Sequence, residues 1–261
     1  MSLDTVLYTE EGLVGVITLN RPTVLNAFDH AMVTALASRL DEARDHGMRA
    51  VVITGAGRAF SSGHDLDEPP LLPTEPVGNV HGYLWEIQHL TTRMLEHPAI
   101  VIIALNGPAV GMAAELTVAA DLRLASDTAY LLFPEVRLAL LETNGVSWLL
   151  PRAVGHARAS DWLLTGRRIP ATELVTAGLV SRIVPGTELL AAAMEMAREV
   201  AASAPRSIRL VKRMLLRGWG GDLHASLLAE IDGVIETTQS PDLIEGMRAF
   251  HEKRAPRYTG D

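Results

Sequence analysis

The stretch Phe60–Glu68 reads FSSGHDLDE and places serines, a histidine and acidic residues within a few positions of one another. A serine beside a histidine and an aspartate suggests a nucleophilic triad, but the members of a triad come together in space from distant parts of a chain. Adjacent side chains of an extended segment point in opposite directions. The alternative is that this loop acts through its backbone N–H groups rather than through its side chains.

Two further kinds of site are weakly suggested. Gly55 and Gly57 follow an apolar run, as in a dinucleotide-binding turn, but the third glycine, the following helix and the later acidic residue are missing. His81, His89 and His97 recur every eight residues, a spacing that rotates successive side chains by about 80° on a helix and so separates them. The sequence therefore predicts neither a dinucleotide site nor a metal site.

A run of basic residues lies in RSIRLVKRMLLR, toward the C-terminus. Charge runs of this kind usually form a solvated helix face, although a phosphate-bearing ligand could contact one or two members. The basic residues are Arg206, Arg209, Lys212, Arg213 and Arg217.

The composition argues against several classes of protein. The formal net charge of -8 and the pI of about 5.6 are unlike those of a nucleic-acid-binding domain. The absence of cysteine excludes disulfides and thiolate chemistry. The N-terminus has no signal-peptide pattern, and no apolar run approaches the roughly 20 residues that span a bilayer. We expect a cytoplasmic protein that binds neither nucleic acid nor membranes.

The elements that must position these residues follow an α/β pattern. The first 20 residues predict a hairpin that turns at Gly12, and a helix capped by Asp29 and a buried strand follow. The proline-rich stretch Asp67–Val80 predicts irregular structure. From Gly145 onward the pattern is mainly helical, and the apolar surface of this tail needs a partner that self-association could supply.

Five segments together resemble the crotonase superfamily, the enoyl-CoA hydratase and isomerase fold. They span nearly the whole chain in the family's order, and the set is specific although each segment alone is weak. The resemblance implies an α/β spiral of ββα units over residues 1–200 and a helical trimerisation region over residues 201–261. The segments are LNRPTVLNAF, GRAFSSGHDL, LNGPAVGMAAELTVAADLRLAS, FPEVRLAL and FHEKRAPRYTGD.

The resemblance also implies a role for the first loop. The backbone N–H groups of His64 and Met112 would face one point, which receives the thioester carbonyl oxygen of an acyl-CoA. Chemistry at the α-carbon passes through an enolate, so negative charge grows on that oxygen, and each donor placed there is typically worth about 10²- to 10³-fold in rate. The helix N-terminus behind Met112 would add partial positive charge.

Glu115 and Glu135 match the two acids of the hydratases in sequence context and in spacing. Adding water to a conjugated double bond needs one carboxylate to activate water at the β-carbon and another group to protonate the α-carbon. Two nearby carboxylates push their pKa values apart, which suits one as the acid and the other as the base. The resemblance therefore implies that both glutamates are catalytic.

Coenzyme A would be part of the substrate, and no separate cofactor is expected. The resemblance implies that the last helix reaches CoA across a subunit boundary of a homotrimer, or of a hexamer made of two trimers. The residues implied to contact CoA are Arg58, Ala59, Phe60, Ser62, Asp65, Leu66, Phe250 and Lys253.

The chain departs from the family's pattern in four places. Thr23 stands where a basic residue is common, and Met112 and Ala113 replace glycines. The segment Leu141–Trp148 replaces a glycine-rich turn that lies beside the water site in typical hydratases. Its polar members, which would change the space and polarity near the β-carbon, are Glu142, Thr143 and Asn144.

The resemblance implies an enoyl-CoA hydratase, a lyase that adds water to a 2-enoyl-CoA. The altered turn favours, as the alternative, isomerisation or hydrolysis through the same enolate. A third possibility is a catalytically silent acyl-CoA-binding protein of this fold, against which the presence of both glutamates argues.

Overall fold

A computed structural model describes residues 5–67 and 76–260 of the chain. The strands are β1 (Val6–Glu11), β2 (Val14–Leu19), β3 (Ala50–Gly55), β4 (Ile100–Leu105), β5 (Ala109–Val110), β6 (Leu122–Ser126), β7 (Tyr130–Leu132), β8 (Arg168–Pro170) and β9 (Arg182–Val184). The helices are α1 (His30–Asp45), α2 (Val77–Glu96), α3 (Met112–Ala119), α4 (Val146–Val154), α5 (His156–Thr165), α6 (Ala171–Thr176), α7 (Leu189–Ala201), α8 (Pro205–Gly218), α9 (Leu223–Thr238) and α10 (Pro241–Glu252).

The central sheet has six strands in the order β1-β2-β3-β4-β6-β9. The hairpin of β1 and β2 is antiparallel, and every other neighbouring pair is parallel. Successive residues of β3 alternate between two apolar clusters, because Val51 and Ile53 belong to one and Ala50 and Val52 to the other. The sheet is therefore buried on both faces at its centre, which explains why β3 and β4 read as continuous apolar runs.

A second sheet, in the order β5-β7-β8, contains the strands that lead into the segments carrying Glu115 and Glu135. Val110 of β5 pairs with Leu132 of β7, and these two strands are parallel. The chain leaves β5 through Gly111 into α3, and it leaves β7 through Pro134 toward Glu135. The carboxyl ends of parallel neighbours lie at one edge, so the start of α3 and Glu135 are brought side by side.

The α/β class expected from the sequence is confirmed, as are the N-terminal hairpin and the cap of α1. The Asp29 side chain accepts a hydrogen bond of 2.7 Å from the Met32 N–H. The irregular structure predicted for residues 67–80 is wrong for residues 77–80, because α2 begins directly after Pro76. Residues 68–75 lie outside the described part of the chain. The short strands β5 and β8 have no counterpart in the sequence-based prediction.

The tail is helical, as expected, and α8 is anchored to the body by one side chain. The ammonium group of Lys212 forms an ion pair with Asp121 at 2.7 Å and donates to the Met94 and Ala99 carbonyls. In α9, by contrast, Gly233 alone is buried. Within residues 5–67 and 76–260, no helix has the length and apolar character needed to cross a membrane. The division of the chain at residue 200 stays a prediction.

Candidate active site

Two asparagines hold the loop that follows β3. The amide group of Asn26 donates to the carbonyls of Ala56, Ala59 and Phe60 at 2.9 to 3.1 Å. Asn26 is fully buried and has a φ of 57°, a left-handed conformation that asparagine tolerates better than most residues. The Asn106 side chain accepts from the Gly55 N–H and donates to the Ala59 carbonyl. These bonds satisfy the loop's backbone and fix its path.

The backbone of the loop leaves the His64 N–H free. The backbone N–H of Phe28 donates to the Gly63 carbonyl at 2.8 Å, and the backbone N–H of Asp65 donates to the Phe28 carbonyl at 2.9 Å. This bridge uses the groups on either side of the His64 N–H, which itself has no acceptor among the described residues. An N–H that is fixed by its neighbours and has no protein acceptor is ready to bind an oxygen of a ligand.

Gly63 brings the His64 N–H close to the start of α3. Its φ of 88° lies in the region that favours glycine, and a Cβ atom at this position would collide with the Val110 carbonyl oxygen. The same Cβ position lies 3.6 Å from the Met112 nitrogen. Met112 is the first residue of α3, and its N–H also has no acceptor within the described chain. The two N–H groups implied by the resemblance therefore lie next to each other, at a helix N-terminus.

The side chain of His64 is held by α2. Its Nδ1 atom lies 2.8 Å from the hydroxyl of Tyr83, while its Nε2 atom is buried and has no partner in the part of the chain that is described. Burial lowers the pKa of His64 below the ordinary value, so the imidazole is neutral at physiological pH. No local pattern identifies Tyr83 as a partner of His64, because its position depends on how α2 packs.

Glu115 is almost fully buried and its carboxylate accepts four hydrogen bonds. Oε1 accepts from the Thr143 N–H at 3.1 Å. Oε2 accepts from the Thr143 hydroxyl at 3.3 Å, from the Asn144 N–H at 3.1 Å and from the Asn144 amide at 2.6 Å. Burial raises the pKa of Glu115, and the donors from Asn144 and Thr143 oppose that effect. A carboxylate has about four acceptor positions, so Oε1 is the oxygen with room for one more donor.

Glu135 is 8% exposed and differs from Glu115 in its surroundings. Its Oε2 is buried without a hydrogen-bond partner among the described residues. Its Oε1 lies 3.0 Å from the place where a Cβ of Gly111 would be, so the carboxylate is beside the start of α3. Burial, together with the negative charges of Glu115 and Glu142, raises the pKa of Glu135 to about 7. Near neutral pH this carboxyl can therefore both release and accept a proton.

The segment that departs from the family's pattern is packed between Glu115 and α2. The Gln88 amide donates to the Thr143 carbonyl at 2.9 Å, and the Thr91 hydroxyl donates to the Asn144 carbonyl at 3.2 Å. Tyr83 and Thr91 are separated by eight residues, or about 12 Å along the helix. The helix α2 thus contacts both the His64 loop and the turn that binds Glu115. Sequence reasoning expected polar residues near the β-carbon here, but not that they would hold Glu115.

The residues implied to contact CoA differ in accessibility. Arg58 is exposed and Leu66 is 56% exposed, whereas the side chains of Ala59 and Phe60 are buried in the core. Any contact of Ala59 and Phe60 with a ligand would therefore use their backbone atoms. The hydroxyl of Ser62 donates to the Val24 carbonyl at 3.4 Å.

Of the other residues implied to contact CoA, Asp65 forms an ion pair within the protein, whereas Phe250 and Lys253 are exposed at the end of α10. The Asp65 carboxylate pairs with Arg21 at 3.4 Å, and this contact ties the loop to the segment before α1. Phe250 is 81% exposed on α10, and Lys253 is the exposed residue that ends this helix. Within the described residues, no hydrogen bond or ion pair joins Phe250 or Lys253 to the glutamate site.

The chain matches known proteins over nearly its full length. Residues 9–261 match the model of the enoyl-CoA hydratase/isomerase family. A Thermus thermophilus protein named an enoyl-CoA hydratase is 39% identical over 252 residues, which cover 95% of this chain and 98% of that protein. The 1,2-epoxyphenylacetyl-CoA isomerase of Escherichia coli is 32% identical, with 97% of each chain covered.

The crystal structure of an enoyl-CoA hydratase from Bacillus anthracis superimposes with a TM-score of 0.93. It is 33% identical, and the match covers 98% of this chain and 100% of the other. The fold, the paired N–H groups at the start of α3 and the two buried glutamates are thus accompanied by similarity along the whole sequence. The chain belongs to the enoyl-CoA hydratase/isomerase family, which lies in the crotonase superfamily.

Proposed function

We propose that this protein is an enoyl-CoA hydratase that adds water to a 2-enoyl-CoA thioester. The observation that carries the proposal is the contrast between two buried glutamates at one edge of the small sheet. Burial raises the pKa of both, but Glu115 accepts four hydrogen bonds that favour its ionised form. Glu135 instead has an oxygen without a partner among the described residues, and burial together with neighbouring negative charge raises its pKa to about 7. An ionised base beside a protonated acid is the pair that hydration requires.

In the proposed reaction, the N–H groups of His64 and Met112 bind the thioester oxygen. Water attacks the β-carbon, the electrons of the double bond pass to the carbonyl oxygen, and the two donors stabilise the resulting enolate. Glu115 takes the proton of the attacking water through Oε1. Glu135 gives its proton to the α-carbon, which restores the carbonyl, and proton exchange with water then resets both glutamates.

The CoA part of the substrate is proposed to bind on the outer side of the loop after β3. Arg58 and Leu66 are exposed there and offer a positive charge and an apolar surface, while any contact from Ala59 and Phe60, whose side chains are buried, would use backbone atoms. Phe250 and Lys253 of a second subunit are proposed to complete this site. No cofactor beyond the substrate's own CoA is included in the proposal.

Isomerisation of a double bond is the second candidate, and the four hydrogen bonds already made to the Glu115 carboxylate favour it. Moving a proton between carbons requires one well-placed base. Glu135 is the catalytic glutamate with an open oxygen, because the turn at Thr143 and Asn144 occupies most of the acceptor positions of Glu115. The Escherichia coli relative with an isomerase name is in keeping with this candidate.

A panel of 2-enoyl-CoA thioesters tests the proposed function. Hydration removes the conjugated double bond, so we expect the ultraviolet absorbance of at least one member to fall in the presence of the enzyme, with a 3-hydroxyacyl-CoA as the product. Migration of the double bond without gain of water would identify an isomerase. If every thioester binds but none reacts, the silent acyl-CoA-binding function is correct instead.

The tail is proposed to form a homotrimer or a pair of stacked trimers. Four apolar side chains repeat at helical spacing along α9 and remain between 48% and 75% exposed in the isolated chain: Leu223, Leu227, Ile231 and Val234. Exposed apolar surface of this extent marks an interaction site. Light scattering at micromolar concentration should give three or six times the chain mass of 28.2 kDa. A stable monomer would contradict both the trimer and the proposed role of Phe250.

A further inference from the structure

The Asn144 side chain is buried against the Glu115 carboxylate, and its orientation is fixed. Asn144 is 1% exposed. Its Nδ2 atom donates to Oε2 of Glu115 at 2.6 Å and to the Thr143 hydroxyl oxygen at 3.2 Å, so both amide hydrogens have an acceptor. Rotation of the amide by half a turn would bring its oxygen against the carboxylate, where two acceptors repel each other. The contact with Glu115 therefore selects the observed orientation.

The backbone of Asn144 is held as firmly as its side chain. The hydroxyl of Thr91, a buried residue of α2, donates to the Asn144 carbonyl at 3.2 Å and lies 3.5 Å from its Oδ1 atom. The Asn144 N–H donates to Oε2 of Glu115 at 3.1 Å. A residue that orients a functional group must itself be locked by the groups behind it, and Asn144 meets this condition.

The same amide sets the direction of the Thr143 hydroxyl. This hydroxyl has one hydrogen, and because its oxygen accepts from Asn144, the hydrogen is available for Oε2 of Glu115 at 3.3 Å. Three donors therefore converge on Oε2, two from Asn144 and one from the Thr143 hydroxyl. Among the described residues, Oε1 accepts from the Thr143 N–H alone, at 3.1 Å. A proton can thus be taken up at Oε1 and not at Oε2.

The partners of the Glu115 carboxylate are neutral donors rather than a cation. Burial raises the pKa of Glu115, and the donors of Asn144 and Thr143 are the groups that oppose this effect. Two other acids belong to the surroundings: the charge of Glu115 acts on Glu135, and Glu142 directly precedes the turn. Loss of the shortest of these hydrogen bonds should therefore favour the protonated form of Glu115.

We propose that Asn144 is a positioning residue that makes Glu115 a one-sided base, with Oε2 occupied and Oε1 left free for the proton of the attacking water. This inference rests on the proposed function, in which Glu115 takes that proton. Asn144 acts through Glu115 and contacts no reacting atom. A glycine-rich turn, which this segment replaces, has no side-chain amide that could do the same.

The titration of Glu115 in the free protein tests this inference without any turnover. Carbon NMR of protein labelled at the glutamate carboxyls gives the midpoint, and the Glu115 signal is identified by its loss in Glu115→Gln. In Asn144→Ala the midpoint should rise by about one pH unit, a tenfold change in the acid dissociation constant, because a hydrogen bond to a charged group is lost.

Asn144→Asp is the matched variant, because aspartate has the shape of asparagine but no N–H group. The Glu115 midpoint should rise further than in Asn144→Ala, since a second carboxylate then faces Oε2. If Asn144 merely filled space, the order would be reversed and Asn144→Asp would resemble the wild type. Asn79→Ala, which removes an exposed amide near the start of α2, should leave the midpoint unchanged.

The pH profile of the reaction gives the second measurement. A general base loses activity as the pH falls through its pKa, so the low-pH limb of Asn144→Ala should lie at higher pH than that of the wild type. Below the wild-type midpoint the variant should be slower by on the order of tenfold, with a smaller difference at high pH. In a Glu115→Gln protein, adding Asn144→Ala should change turnover by less than about twofold, because no carboxylate is left to orient.

The two measurements separate this inference from the proposed function. An unchanged Glu115 midpoint in a folded Asn144→Ala protein, or a full further loss in the Glu115→Gln background, would overturn the positioning role even if hydration is confirmed. A raised midpoint without turnover of any thioester would support the orientation of Glu115 by Asn144 and reject the hydratase. If Asn144→Ala does not fold, Thr143→Val removes the hydroxyl that Asn144 directs, and an unchanged midpoint there would also overturn the inference.

Discussion

Glu135→Gln is expected to lower the turnover of a 2-enoyl-CoA by about 10²- to 10⁴-fold, equivalent to about 2.7 to 5.4 kcal/mol of barrier. Glutamine preserves the size and polarity of the side chain but cannot deliver a proton to the α-carbon. The wild type should lose activity as the pH rises through about 7, because burial and two negative charges place the pKa of Glu135 there and the acid form is then lost. The residual activity of the variant should lack this limb.

Glu115→Gln is the matched control, because it makes the same change in the second glutamate. If the reaction is hydration, turnover should fall by a similar factor, and the double variant should be little worse than either single one, since the two acids act on one substrate. If the reaction is isomerisation, Glu115→Gln should keep most of the activity. The affinity for a saturated acyl-CoA should be near that of the wild type in both variants. Near-normal turnover in both would show that neither glutamate is the catalyst.

Lys212→Met is expected to cost about 3 to 5 kcal/mol of the free energy of unfolding. The ammonium group of Lys212 is buried, and it neutralises Asp121 while it satisfies the Met94 and Ala99 carbonyls. Methionine fills a similar space but leaves a partly buried carboxylate, with the Val101 N–H as its remaining hydrogen-bond partner among the described residues. Urea denaturation at a fixed protein concentration measures the loss.

Two further variants define the origin of this loss. Arg209→Met, on an exposed position of the same helix, should change the stability by no more than about 0.5 kcal/mol. The double variant Lys212→Met with Asp121→Asn should be more stable than the sum of the single effects, because the uncompensated charge is removed. A Lys212→Met protein that unfolds like Arg209→Met would show that the ion pair contributes nothing to the attachment of α8.

Sequence reasoning found the elements whose signals are local. The cap of α1 could be predicted because Asp29 acts within one helical turn, and β3 and β4 could be predicted because their apolar runs are continuous. The two-residue strand β5 and the three-residue strand β8 could not, since they exist only as partners of β7. The start of α2 differs from the prediction, because a cluster of prolines is typical of irregular structure whereas Pro76 directly precedes the first helical turn.

In the candidate site too, some residues could be predicted from the sequence, whereas the contacts that depend on tertiary packing could not. The matched segments identified Glu115, Glu135, His64 and Met112, and the structure brings these four residues together. The donors to Glu115 come from 28 and 29 residues further along the chain, and no local pattern reveals such a pairing. The burial of Ala59 and Phe60 likewise depends on tertiary packing, which a motif does not describe.

The turn that holds Glu115 also contains Glu142, and this limits how the site can evolve. In an active site where the acyl pocket and the acid and base are built from separate segments, selection for a new substrate can alter one and leave the other intact. Here Thr143 and Asn144 supply the hydrogen bonds to Glu115, and the negative charge of Glu142 acts on Glu135. An exchange anywhere in residues 142–144 therefore alters the surroundings of at least one of the two glutamates.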